Sequence, residues 1–270
     1  MNTHPTDPLH PTEQGYVPVD EWPELTRMVE GFGDPSLPPS SLDGRDLSIR
    51  FENGWTISHA FADGQITWTI VEGDGLGETG THPYRAVEVR PEIFFVDFVK
   101  GEGTHSSNVS MLIDLRDGRV TVAESSFVDR DGAMRMATVF LHGRIGEGDI
   151  EPRSASSELV GKRIYYRYSP TEHYEHVYLN AGTFVWHCVR GGEVGLADAD
   201  PIRVFAVDDD LVLLHWSETV MPVESIVAID LRQKRSIGRM FCWDGPTLAP
   251  LRIPFDSEFT VLDSAEYPQN

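Results

Sequence analysis

The chain has little cysteine, little positive charge and no long apolar run. Cys188 and Cys242 are the only cysteines in 270 residues, and they form no Cys-x-x-Cys pair. A disulfide framework is therefore not expected, and both thiols are expected to be unpaired and reduced. Lysine and arginine number 22 against 43 acidic residues, a formal charge of −21. Nucleic acid and anionic membranes both demand basic patches, so neither is an expected partner. The charge is read as a solubility device. No stretch reaches the length of a membrane-spanning helix. The opening MNTHPTDPLHPTEQGY lacks the basic-then-apolar order of a signal peptide, so a cytoplasmic protein is expected. Catalytic signatures are scarce as well. There is no Gly-x-Ser-x-Gly elbow and no His-x-His or His-Glu-x-x-His spacing, which argues against serine-triad chemistry and against a metal. No helix pattern follows Gly73-Asp-Gly-Leu-Gly, so no phosphate cradle is expected. No cofactor is expected.

What is present is short-range alternation. Residues 1–41 form a proline-rich extension. Within it, a segment opening at Asp20 reads as one short helix, with Asp20 as its cap, Pro23 in its first turn and Gly31 at its end. From about residue 42, short apolar–polar alternations are split by turn pairs such as Asn53-Gly54, Asp63-Gly64, Asp117-Gly118 and Asp131-Gly132. This is the pattern of antiparallel hairpins, so the region is expected to be all-β.

The alternation repeats. Gly64-Gln-Ile-Thr-Trp-Thr-Ile-Val-Glu-Gly matches Gly182-Thr-Phe-Val-Trp-His-Cys-Val-Arg-Gly, aligning Trp68 with Trp186. Phe94–Lys100 then matches Val212–Glu218, and Met111-Leu-Ile-Asp-Leu-Arg matches Val227-Ala-Ile-Asp-Leu-Arg. Three matches in one order predict two copies of one β module. Each copy has the size of an up-and-down barrel of about eight strands. The expected domains are a first barrel over 42–150 and a second over 151–270, joined near Glu151-Pro-Arg-Ser-Ala-Ser-Ser.

The second copy carries the polar aromatic residues. Residues 161–192 hold five tyrosines and the histidines His173, His176 and His187. Tyr166 and Tyr168 are two apart and share a strand face. Buried phenol hydroxyls need partners, so two on one face either fill a core or converge on a ligand. Glu218 shares a face with Trp216. If that face is interior, burial raises its pKa and fits it to exchange a proton near neutral pH.

The first copy, Ile49-Arg-Phe-Glu-Asn-Gly-Trp-Thr-Ile with Asp63-Gly-Gln-Ile-Thr-Trp-Thr-Ile-Val-Glu-Gly, resembles the opening hairpin of the phenolic acid decarboxylases, which are small lipocalin-like barrels. The whole chain resembles the MoaF proteins more closely, over residues 42–265. The resemblance implies tandem lipocalin-like barrels. Carried over by position, the decarboxylase tyrosine pair falls on Tyr166 and Tyr168, and its glutamate falls on Glu218 in Trp216-Ser217-Glu218. The first copy has Ile49, Phe51 and Lys100 in those places, so it is expected to be structural. The family's arginine has no direct counterpart: Leu196 falls near it, and Arg190 is the candidate substitute. The implied catalytic residues are Glu218, Tyr166 and Tyr168, with Trp186, His187, Arg190, His215 and Trp216 assigned to substrate. His187 and His215 alternate with the two tryptophans and face the other way on regular strands. The expected ligand is a small, partly apolar aromatic or conjugated acid, acted on by a cofactor-independent lyase or isomerase. The alternative is a non-catalytic carrier or sensor. The sequence leaves a homo-oligomer open.

Overall fold

A computed structural model describes residues 30–244 and 249–266. The first eight strands are β1 (Asp46–Phe51), β2 (Thr56–Ala62), β3 (Gln65–Glu72), β4 (Thr79–Arg90), β5 (Ile93–Lys100), β6 (Ser107–Asp114), β7 (Arg119–Arg130) and β8 (Ala133–Ile145). The next eight are β9 (Lys162–Arg167), β10 (His173–Asn180), β11 (Thr183–Arg190), β12 (Ala197–Asp208), β13 (Leu211–Ser217), β14 (Val223–Asp230), β15 (Arg235–Asp244) and β16 (Ala249–Ser264). Each set runs up and down and closes, β1 on β8 and β9 on β16, as two antiparallel barrels. This is the expected lipocalin-like pair. The short helix opening at Asp20 lies outside the described residues except for its last turn. That turn ends at Phe32, before Gly33 at φ 65°, not at Gly31. Among the described residues no helix is long and apolar enough to cross a membrane.

The turn chemistry sets the hairpins. Asp63-Gly64 and Asp131-Gly132 both hold two successive positive φ angles. That is the tight turn whose twist matches paired strands. The repeated Ile-Asp-Leu-Arg ends β6 and β14 in the same way. Asp114 and Asp230 each accept the backbone N–H two residues on, from Arg116 and Arg232, at 3.1 and 3.0 Å, so the repeated segment is a side-chain-closed turn.

The barrels pack back to back through their walls. Strands β5, β6, β13 and β14 are buried almost throughout. Val89, Ile93, Phe95 and Leu112 of the first barrel form one cluster with Val207, Leu211, Leu213 and Ala228 of the second. By the repeat alignment these are matched residues, so the same wall of each copy meets the other. Polar ties cross the seam. Arg90 donates twice to Asp230, at 2.6 and 2.9 Å, and Arg252 donates to Asp97 at 2.8 Å. Arg239 has no exposed surface. It donates to Ser110 and Ser125 of the first barrel, at 2.9 and 3.2 Å, and to Glu224 on the neighbouring strand. Cys188 and Cys242 are both buried.

Arg239→Met strips the buried Glu224 of its cation. It is expected to cost about 3–5 kcal/mol in chemical denaturation, and adding Glu224→Gln should recover most of that loss.

Candidate functional site

Strand alternation puts Tyr166, Tyr174, His176, Tyr178, Trp186 and Trp216 inside the second barrel, with Tyr168 just past the end of β9. The two expected tyrosines differ in role. The Tyr166 hydroxyl is bonded to that of Tyr178 at 2.9 Å, and its ring lies 4.5 Å from His176. Tyr168 instead helps to line a cavity of about 20 Å³ with Tyr174, His176, Trp186, Glu193, Trp216 and Glu218. That volume holds about one water molecule. Phe32, from the extension, also lines the cavity. Its ring sits 5.1 Å from Tyr168 and 6.1 Å from Tyr174. The segment around it is fixed by Ser169 donating to the Gly31 carbonyl at 2.7 Å and by Ser36 donating to Asp256, also at 2.7 Å.

Carboxyls gather at the same end of the barrel. Glu218 follows β13. The residue keeps some exposure, but its Oε2 atom is sealed off and has no hydrogen-bond partner among the described residues. Burial, reinforced by Glu193, Asp200 and Asp198, pushes its carboxyl well above the usual range. Glu193 is also raised by burial, although it accepts from the Tyr174 hydroxyl at 2.7 Å. Asp200 accepts from the Trp186 indole at 2.9 Å and is pushed up to about 6, chiefly by burial. Burial holds His176 neutral, down at about 3. Burial therefore favours the neutral form of these carboxyls, most strongly at Glu218, and of the His176 imidazole beside them.

Three residues expected at substrate lie elsewhere. His187 is on the outer face of β11, 41% exposed and 3.6 Å from Glu175. His215 is on the outer face of β13, in the seam, edge-on to Phe140 with ring centroids 5.4 Å apart. Both follow from parity: each adjoins an inward tryptophan and must point outward. Arg190 is at the far end of β11, half-buried and opposite His173, and does not line the cavity.

The first barrel, expected to be structural, encloses the larger space. Its cavity is about 340 Å³, walled by Phe51, Trp55, Trp68, Phe98 and Met111 among others, with His59 inside and Asp74, Glu78, Lys100 and Glu124 also on its lining. Lys100 stands where the repeat places Glu218. It pairs with Glu124 at 2.8 Å and lies 5.6 Å over the Trp68 ring. Missing tyrosines said nothing about volume: smaller side chains at their positions leave room. A further repeat went unread. His59 pairs across strands with Trp68, and His176 pairs with Trp186, so each barrel interior carries one histidine–tryptophan pair whose histidine is buried. Aligning β2 with β10 would have revealed it. Burial lowers His59 to about 4. Among the described residues no three His, Cys, Asp or Glu side chains converge as a metal-binding set.

Comparison with known proteins gives matches to both halves. The MoaF N-terminal domain family matches residues 20–129, and the MoaF C-terminal domain family matches residues 153–265. Protein MoaF of Klebsiella aerogenes is 33% identical over 201 residues, covering 69% of this chain and 76% of that protein. A solved Burkholderia vietnamiensis chain, described as a candidate beta-lactamase, aligns over 42% of this chain and all of its own. It does so at 14% identity and a TM-score of 0.34, a likeness too slight to bear on the chemistry.

The raised carboxyl has a pH signature. The folded protein holds the Glu218 proton to higher pH than the unfolded chain, whose value is near 4.5. Stability carried by that proton is thus present in acid and is lost as pH rises through the folded value. A glutamine in its place cannot titrate. The melting temperature of Glu218→Gln minus that of the wild type is therefore expected to increase steadily as pH rises from about 4.5 towards the folded value, and to level off beyond it.

Proposed function

The chain belongs to the MoaF family, and from that premise we propose that its second barrel binds a small, partly apolar aromatic or conjugated acid and performs cofactor-free proton transfer on it. The observation that carries the reading is Glu218 Oε2, buried without a partner beside Glu193, Tyr168 and two tryptophans. An unsatisfied buried carboxyl costs a fold of the order of 1–3 kcal/mol. Such a cost is characteristic of groups kept for chemistry rather than packing.

In this reading Tyr168 orients the acid, with Trp186 and Trp216 against its flat body. Tyr166 is a positioning residue, since its hydroxyl is spent on Tyr178. Glu218, held protonated by burial, gives its proton to the conjugated carbon as the carbon–carboxyl bond breaks. Carbon dioxide leaves, the bond's electrons remain on the organic fragment, and a proton from water restores Glu218. Delivering the proton without losing the carboxyl group gives isomerisation when a different proton then returns to Glu218, or hydration when a water adds and its proton returns to Glu218. Entry requires Phe32 to swing out, because the closed cavity is far below ligand size.

The test is turnover of hydroxycinnamic acids, followed by absorbance and by carbon dioxide release. Wild type is expected to turn over at least one of them. Glu218→Gln is expected to lose about 100- to 10,000-fold in kcat while calorimetry still detects binding. Phe32→Ala is expected to raise kcat/KM. Binding without turnover in the wild type would favour a carrier; neither binding nor turnover would reject the reading.

A further inference from the structure

We infer that the first barrel is a second, separate binding site, for an uncharged aromatic molecule bearing a hydrogen-bond-accepting oxygen. Four observations converge on it, none of which rests on the second barrel. The first is room. A cavity of about 340 Å³ lies within the range of sites that hold small organic ligands, roughly 300–1,000 Å³. The second is its wall. Trp55, Trp68, Phe51 and Phe98 line it, and flat aromatic surfaces favour a flat aromatic guest.

The third observation sets the polar end of that guest. Trp68 Nε1 is buried and finds no acceptor among the described residues. An indole N–H can only donate, so it calls for an oxygen acceptor. His59, 5% exposed on the adjoining strand, likewise has its Nδ1 buried without a partner. Both side chains line this cavity.

The fourth observation sets the charge. The lining carries three carboxylates, Asp74, Glu78 and Glu124, against a single cation, Lys100. Lys100 is already engaged by Glu124 and by the Trp68 ring. A carboxylate ligand would meet net repulsion there. An ammonium would be drawn to the acids but has no acceptor to offer the indole, and Lys100 already occupies the ring face. A neutral ketone, aldehyde or ester on an aromatic ring satisfies all of these conditions. The exchange of Lys100 for the Glu218 of the other copy gives the two interiors opposite polar groups, so the duplicated barrels select different ligands.

Calorimetry with naphthyl methyl ketone, naphthoate and naphthylmethylamine separates the cases, since the three share one ring system and differ in head-group charge. The ketone is expected to bind one-to-one, at least about tenfold more tightly than either ion. Trp68→Phe keeps the aromatic wall and removes the donor, and it should weaken the ketone about five- to tenfold. Val122→Trp fills the cavity and should abolish ketone binding. If that variant does not fold by circular dichroism, Met111→Phe, which reduces the same space, takes its place. The inference is overturned if the acid or the amine binds best, if the ketone does not bind up to its solubility, if Trp68→Phe leaves its affinity unchanged, or if it still binds a folded cavity-filling variant at wild-type strength.

Discussion

Arg239 has no surface in contact with water, and its guanidinium joins Glu224 on its own wall to Ser110 and Ser125 on the wall of the other barrel. A buried cation is costly unless its charge is paired and its donors are engaged. That requirement fixes how the two barrels sit against each other to within a hydrogen-bond length. Around it the apolar cluster of Val89, Ile93, Phe95, Val207, Leu211 and Leu213 closes. With β5, β6, β13 and β14 buried on both faces, the seam cluster stands as a third core between the two barrel interiors.

The fused walls leave function to the enclosed spaces, and the two interiors have diverged in opposite ways. In the second, aromatic side chains fill the volume, and Glu193 and Glu218, both raised by burial, line the little space left beside Phe32. In the first, smaller residues leave a chamber with aromatic walls and acidic charges on its lining. The histidine–tryptophan pair common to both, His59 with Trp68 and His176 with Trp186, is what the barrels retain of a shared interior. Lys100 against Glu218 is where they part.

Much of the scaffold was legible in the sequence. Asp-Gly turns marked the hairpins, and the repeated tryptophan and Ile-Asp-Leu-Arg segments marked the duplication, because both are set by local backbone chemistry. The inward direction of Tyr166 and Trp216 followed from period two. The same rule sends His187 and His215 outward, as their alternation with the tryptophans implied, and it sets them apart from the inward residues assigned to substrate. The seam was written in the sequence as well. Ile93–Val99 and Leu211–Trp216 are nearly unbroken apolar runs, the mark of strands covered on both faces. Cavity volume was not legible. It depends on how side chains from eight strands add up across a barrel, and no single strand encodes that sum. Nor does the spacing of Phe32 reveal that it stops a barrel about 140 residues further along, since that contact arises only after closure.

Closure has one more consequence. In each barrel every strand has a hydrogen-bonded neighbour on both sides, including β1 with β8 and β9 with β16. Among the described residues the sheets therefore present no open edge. A foreign strand has no row of bare N–H and C=O groups to extend, which removes the usual route to edge-to-edge aggregation. Among the described residues, the outer walls of the barrels meet a neighbour with side chains rather than with bare backbone. The large acidic surplus makes like-charged copies poor neighbours there, so strand closure and charge protect the same surface by independent means.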